Sequence, residues 1–211
     1  MSRAISQEKL AIREMMKAMR QGLSPEEVGH SGQAVSRMTM SQPEANSAGS
    51  FCVYASVGKE VATGTLILEL LESGKTVVVP DWEGWKQGCG LRVARIQDPG
   101  DLLVENRVVP QPRNVPERIM PIDRVEVFLI PGVAYDMYCN RIGMGGGYYD
   151  RLLALSSPKA TLIGLAYDFQ IMHSLPVDDH DVPVHKIVTP SQCVTAQDQH
   201  KRRVTEDATR S

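Results

Sequence analysis

Hydrophobic positions along this chain follow two periods, a helical one up to about residue 40 and an alternation of strand-length apolar runs with helices after it. Over 6–21 the apolar residues Leu10, Ile12, Met15, Met16 and Met19 form a broad face that Gly22 closes. Lys9, Arg13, Lys17 and Arg20 stack on one side of this helix, a row that reads either as a solvated face or as cations reaching toward phosphates. Ser24-Pro25-Glu26-Glu27 supplies a cap, a proline at the first helical position and a glutamate three residues after the cap, so a second helix runs to 38–40. A polar connector over 42–49 follows. Buried strands are predicted over 50–56, 76–79, 125–130, 161–167 and 186–189, the last being the final strand. Helices are predicted over 63–73, with Leu66, Ile67, Leu70 and Leu71 on one face, and over 148–155. Shorter runs at 91–96 and 103–109 suggest an antiparallel pair. A turn-rich loop over 81–90 carries Trp82 and Trp85, rings that either cap the core or cover a ligand. Residues 110–121 read as irregular.

Helices set between strands imply right-handed parallel crossovers, hence an α/β fold: a three-layer α/β/α single domain with a mostly parallel central sheet and an N-terminal helical hairpin. Its expected extent is 1–195, with the hairpin at about 6–40 and a polar, frayed tail over 196–211. In such folds ligands bind beyond the carboxyl ends of the strands, which should bring together the segments after the first strand, after Pro131 and over 168–181.

Composition narrows the function classes. The 211 residues are 42% hydrophobic and 23% charged, with 23 Lys plus Arg against 25 Asp plus Glu and a net charge of −2. That balance suits a soluble globular domain and leaves no basic excess for nucleic acid. No apolar run approaches the roughly 20 residues of a membrane span, and no signal peptide is visible. Cys52, Cys89, Cys139 and Cys193 are scattered, as for reduced thiols in the cytoplasm. A cytoplasmic protein, taken as a monomer and without nucleic-acid or membrane partners, is the expectation.

The densest candidate chemistry lies over 140–151, Asn-Arg-Ile-Gly-Met-Gly-Gly-Gly-Tyr-Tyr-Asp-Arg. Gly143, Gly145, Gly146 and Gly147 let a ligand approach the main chain closely, and a helix start behind them favours an anion. Arg141 and Arg151 flank the turn, and Asp150 in the first helical turn is placed to hold a hard cation such as Mg²⁺. A mobile surface loop is the alternative. Neither the Walker P-loop nor G-x-G-x-x-G fits, because no Lys-Ser/Thr follows and Tyr148 stands where a glycine is needed.

The run Arg141-x-Gly143-x-Gly145-Gly146-Gly147-Tyr148-Tyr149-Asp150-Arg151 resembles the signature of the 5-formyltetrahydrofolate cyclo-ligase family, also called 5,10-methenyltetrahydrofolate synthetases. Lys9-x-x-x-Arg13, Glu60-Val-Ala-Thr63, the strand exit 131–136, Gln170, Leu175-Pro176, His180-Asp181 and 187–190 are similar to further family positions in the same order. The resemblance implies ATP- and Mg²⁺-dependent ring closure of 5-formyltetrahydrofolate to 5,10-methenyltetrahydrofolate, with release of ADP and phosphate. It implies Arg141, Tyr148 and Asp150 as catalytic residues. Lys9, Arg13, Arg141, Gly143, Met144, Gly145, Gly146, Gly147, Tyr148 and Tyr149 would bind ATP. Ala55, Glu60, Met144, Gly145, Gly146, Gly147 and Tyr148 would bind folate, and Asp150 and Asp181 would hold the metal. Ala62 stands where the family usually has an acid and Ala55 where it has a larger apolar residue, departures that bear on folate affinity more than on phosphate or metal. A binding module without turnover and a phosphotransferase acting on another small molecule are the alternative functions.

Overall fold

A computed structural model describes residues 3–103, 109–112 and 116–196. Its elements are α1 (Arg3–Gly22), α2 (Pro25–Met40), α3 (Pro43–Ser47), β1 (Ser50–Val53), α4 (Gly64–Glu72), β2 (Thr76–Pro80), α5 (Trp82–Lys86), β3 (Val93–Ile96), β4 (Leu102–Leu103), β5 (Gln111–Pro112), β6 (Ile119–Met120), β7 (Val127–Pro131), β8 (Ala134–Asp136), β9 (Arg141–Ile142), α6 (Tyr148–Leu153), β10 (Thr161–Leu165), β11 (Ile171–Met172), β12 (Lys186–Val188) and β13 (Cys193–Thr195).

The eight-stranded sheet runs β13-β12-β10-β7-β1-β2-β3-β6. The five strands from β12 to β2 are parallel; β13 pairs antiparallel at one edge, and β3 pairs antiparallel with both β2 and the other edge strand, β6. Alternation along each strand divides the core between two faces. Cys52, Val78, Phe128, Ile130 and Leu162 look toward Leu152 and Leu153 of α6. Phe51, Val53, Val77, Val79, Leu129 and Ile163 look toward Val35 of α2 and Leu66, Ile67 and Leu70 of α4. The three-layer α/β arrangement with a mainly parallel sheet is therefore as expected.

Several local expectations are corrected. Pro43 starts the short helix α3 within the 42–49 connector. Asp81 caps a further short helix, α5, in the loop of the tryptophans, by accepting from the Gly84 amide. β3 pairs with β2 and β6, not with 103–109; β4 pairs with β5, and 104–108 lie outside the described residues. The last strand is β13, not β12. Residues 197–211 of the predicted tail are likewise outside the described residues. The capping box at Ser24 and Glu27 is present as read. The hairpin's two helices find different partners: Val35 of α2 joins one sheet face, whereas Met16 of α1 packs with Val133, Ala134, Ile142 and Leu175 at the strand ends.

That second cluster belongs to a small sheet ordered β11-β8-β9, which is locked to the main one by Tyr135. The ring is fully buried and its hydroxyl donates to the Ile130 carbonyl at 2.7 Å. It fits because Gly132 and Gly164 have no side chains: a Cβ at Gly132 would sit 2.6 Å from the ring, and one at Gly164 would collide with it. Gly164→Ala should therefore overpack the core and cost about 1–3 kcal/mol. Urea denaturation of the variant checks this; an unchanged midpoint would contradict the lock.

Candidate functional site

Strand order reverses at β1: the chain passes first to β2 on one side and later returns as β7 on the other. Crevices form at such switch points, beyond the carboxyl ends of the strands. Here the crevice lies between residues 55–60, which follow β1, and residues 132–148, which follow β7. Gly58 and Lys59 of the first loop and Val133 and Met144 of the second line one cavity; Ala55 and Glu60 belong to the first of these loops.

The turn links β9 to α6. Gly145 (φ +100°) and Gly147 (φ +61°) hold left-handed conformations that side chains disfavour. Two arginines fix its carbonyls: Arg13 Nε donates to the Gly143 oxygen at 2.8 Å and an Arg151 Nη to the Gly146 oxygen at 2.6 Å. Among the described residues, no partner receives a hydrogen bond from the amides of 144–147. Met144 at the tip is 77% exposed. With six residues, α6 supplies a short dipole, so the positive potential here comes mainly from side chains.

Two buried cations stand behind the turn, each gripping carboxylates. Arg141, 4% exposed, donates to Asp150 Oδ1 at 2.6 Å and lies 5.9 Å from the Tyr149 ring centre. Its buried Nε has no partner among the described residues. Lys9, 3% exposed, donates to Asp178 at 2.9 Å and to Asp181 at 2.5 Å. Burial works to lower the Lys9 pKa, but the hydrogen bonds to Asp181 and Asp178 outweigh it and leave it raised. Asp178 is held below the carboxylate range by the hydrogen bond from Lys9. The two sets adjoin, since the Val182 amide donates to Asp150 Oδ1 at 3.3 Å. Asp178 is thus an ion-pair partner of Lys9 and not a free loop charge.

Asp150 and Asp181 are hard oxygen donors brought to neighbouring positions. Among the described residues no cluster of three His, Cys, Asp or Glu could cage an ion. Two carboxylates without a cage suit Mg²⁺, which is usually held by one or two carboxylates together with phosphates and water. The donor set fits the ion that the resemblance implies.

Tyr148 is drawn inward. It is 7% exposed and its ring lies 4.8 Å from Trp82, 5.2 Å from Trp85 and 5.5 Å from Tyr149. Both tryptophans pack against the core, so they cap it as their simpler reading held. Tyr148 and Tyr149 make the floor of the turn. Ala62 lies so close to α2 that Gly32 has no room for a Cβ, so position 62 is committed to packing.

Glu60 ends the loop after β1. Its Oε2 accepts from the Val57 amide at 2.9 Å, and its carbonyl accepts from the Tyr167 hydroxyl at 3.1 Å. Burial pushes its carboxyl above the usual range. A further residue, Asp136, is visible in the sequence only as part of the strand exit 131–136. Fully buried, Asp136 accepts at Oδ1 from the amides of Tyr138 and Asn140, and at Oδ2 from the Asn140 side chain and the Leu175 amide. It ties the approach to Arg141 to the segment leading to Asp178 and Asp181. Only its position before the Asn140-Arg141 pair could have signalled this.

Fold and site together define an α/β protein with a cation-rich, carboxylate-bearing corner at its topological switch point. Residues 5–190 match the model of the 5-formyltetrahydrofolate cyclo-ligase family. The chain is 32% identical over 179 residues to the 5-formyltetrahydrofolate cyclo-ligase of Escherichia coli (strain K12), covering 84% of this chain and 98% of that one. The structure is similar to that of Aquifex aeolicus 5,10-methenyltetrahydrofolate synthetase, with a TM-score of 0.78, 30% identity, and 90% and 93% of the two chains covered. The Mycoplasma pneumoniae 5,10-methenyltetrahydrofolate synthetase shares the fold at a TM-score of 0.64 and 22% identity, over 87% of this chain and 99% of that one. The chain belongs to the 5-formyltetrahydrofolate cyclo-ligase family, a family of ligases.

Two stability measurements follow from these contacts. Asp136→Asn leaves two donors, at least partly buried, without an acceptor whichever way the amide turns, and should cost about 1–3 kcal/mol in chemical denaturation. Because the folded pKa of Glu60 is raised, the stability it contributes is full below its ordinary value of 4.5 and is lost as pH rises through the raised value. Glu60→Gln removes that penalty, so its thermal midpoint should exceed the wild type at pH 8 and the gap should close below pH 4.5. A gap independent of pH would refute the assignment.

Proposed function

We propose that the protein joins N10 to the formyl carbon of 5-formyltetrahydrofolate at the expense of ATP, giving 5,10-methenyltetrahydrofolate, ADP and phosphate. The observation that carries this is the turn at 143–147: unbonded amides between Arg13 and Arg141, with Asp150 and Asp181 beside them. Phosphoryl transfer asks a protein for positioning and charge neutralisation, which such a corner offers.

The formyl group on N5 is amide-like, and its oxygen is a poor leaving group. Transfer of the γ-phosphoryl group to that oxygen breaks the bond to ADP and leaves an electrophilic carbon. N10 attacks this carbon, the C–O bond breaks to release phosphate, and N10 loses its proton. The amides of 144–147, Lys9, Arg13 and Arg141 bind and neutralise the phosphates. The partnerless Nε of Arg141 is a donor held ready for an oxygen. Asp150 and Asp181 would hold Mg²⁺, which supplies charge neutralisation across the phosphates. Glu60, with Ala55 on the same loop, holds the pterin end, where a carboxyl group can pair with the ring's N–H groups. Tyr148 and Tyr149 keep the turn in register beneath both substrates.

The protein acts on this reading as a cytoplasmic monomer with residues 1–195 as one catalytic unit. No helix among the described residues is long and apolar enough to cross a membrane.

Turnover is followed by the near-ultraviolet absorbance of the methenyl product. Asp150→Asn and Arg141→Lys, checked for folding by circular dichroism, should each lower kcat on the order of a hundredfold or more. Normal turnover in both variants would remove the proposed nucleotide site, and no product from wild type with ATP and Mg²⁺ would remove the activity.

A further inference from the structure

A cavity of about 460 Å³ lies between α1 and the loop after β1. Four basic side chains line it: Arg13, Lys17 and Arg20 from one side of α1, and Lys59 from the loop. Glu14 is the one acid on its wall, and Val133 and Met144 add apolar surface. Lys59 is pinned by Nζ bonds to the carbonyls of Gln21 and Leu23, both at 2.5 Å. Arg20 donates through Nε to the Lys59 carbonyl at 3.1 Å. The loop and the end of α1 therefore hold each other, which positions Lys59 and Arg20. Lys17 makes no ion pair with any described residue.

Position decides what such a cavity takes. Met144 at its rim belongs to the glycine-rich turn, and Lys59 precedes Glu60, so the cavity opens beside both segments that handle substrate on the proposed reading. A tetrahydropterin ring carries no anionic group to meet four cations. The far end of the same substrate does: folate is a pteroylglutamate, and its glutamyl residue carries two carboxylates. A triphosphate is the other anion present in the reaction, but on the proposed reading Lys9, Arg141 and the glycines of the turn, none of which lines this cavity, provide for it. We propose that the cavity of Lys17, Arg20 and Lys59 is the subsite for the glutamyl carboxylates of the folate substrate, with Arg13 marking its boundary with the phosphate site. This rests on the folate reading of the site.

The test is calorimetric titration of wild type, Lys17→Ala and Lys17→Glu with three ligands: 5-formyltetrahydrofolate, the analogue 5-formyltetrahydropteroate that lacks glutamate, and Mg·ATP. Lys17 is exposed, so both variants should fold. We expect wild type to bind the glutamate-bearing ligand more tightly. Lys17→Ala should weaken that ligand about threefold and Lys17→Glu about tenfold, with the advantage over the analogue shrinking in step. Lys59→Gln should act in the same direction, and added salt should reduce the advantage. Equal weakening of both pteridine ligands, or weakening of Mg·ATP alone, would overturn the subsite. The methenyl assay separates the two proposals: turnover without tail selectivity sinks the subsite alone, and tail-selective binding without turnover sinks the activity alone. Absence of both sinks both.

Discussion

A guanidinium with 4% of its surface exposed must be neutralised, and the way Arg141 is neutralised organises this end of the molecule. Asp150, nine residues on, reaches it only because the glycine-rich turn folds back between them. Lys9 presents the same problem on α1 and meets it with Asp178 and Asp181. Removing one member of such a pair strands a buried charge, so α1, the turn and the segment over 178–182 are bound to one another electrostatically. On the proposed function, the same pairs are ready for exchange. Each cation can trade a carboxylate for a phosphate oxygen, and each carboxylate can trade its cation for the metal that accompanies the phosphates. Charge then stays balanced throughout the exchange.

The fold supplies this corner through topology. A parallel sheet whose order reverses at β1 delivers two loops to one crevice, and the small β11-β8-β9 sheet extends the second into a platform for α1. Tyr135 couples that platform to the main sheet by filling the notch at Gly132 and Gly164. Asp136, its neighbour, spends four hydrogen bonds on fixing the chain to either side of the site. Adjacent residues thus carry the two connections between scaffold and chemistry, one apolar and one polar.

The parallel strands were legible because each is buried on both faces and reads as a continuous apolar run, as Val77-Val78-Val79 and Phe128-Leu129-Ile130 do. What escaped was short or non-local. β8, β9 and β11 span two or three residues each, too few for any period to show, and they pair with one another across the chain. α5 is likewise a single capped turn. The basic row of α1 was visible as spacing, but not its division: Lys9 turns to carboxylates, Arg13 to the turn, and Lys17 and Arg20 to a cavity. That division is set by whatever lies opposite each turn of the helix, which no local pattern records. The role of Asp178 was hidden for the same reason, its partner being 169 residues away.

The glycines illustrate how a correct motif can suggest the wrong physical emphasis. Four glycines imply mobility, yet the carbonyls at Gly143 and Gly146 are bound by Arg13 and Arg151. Positive φ requires glycine at 145 and 147, and crowding against Arg141 favours it at 143, whereas a Cβ at 146 would meet open space. Glycine therefore serves here to permit a particular shape, and the arginines hold it. With its carbonyls occupied by cations, the turn is left with its unbonded amides as the groups available to an incoming anion. Preorganised donors of this kind need no rearrangement when negative charge arrives, and this links the backbone geometry to the chemistry proposed for it.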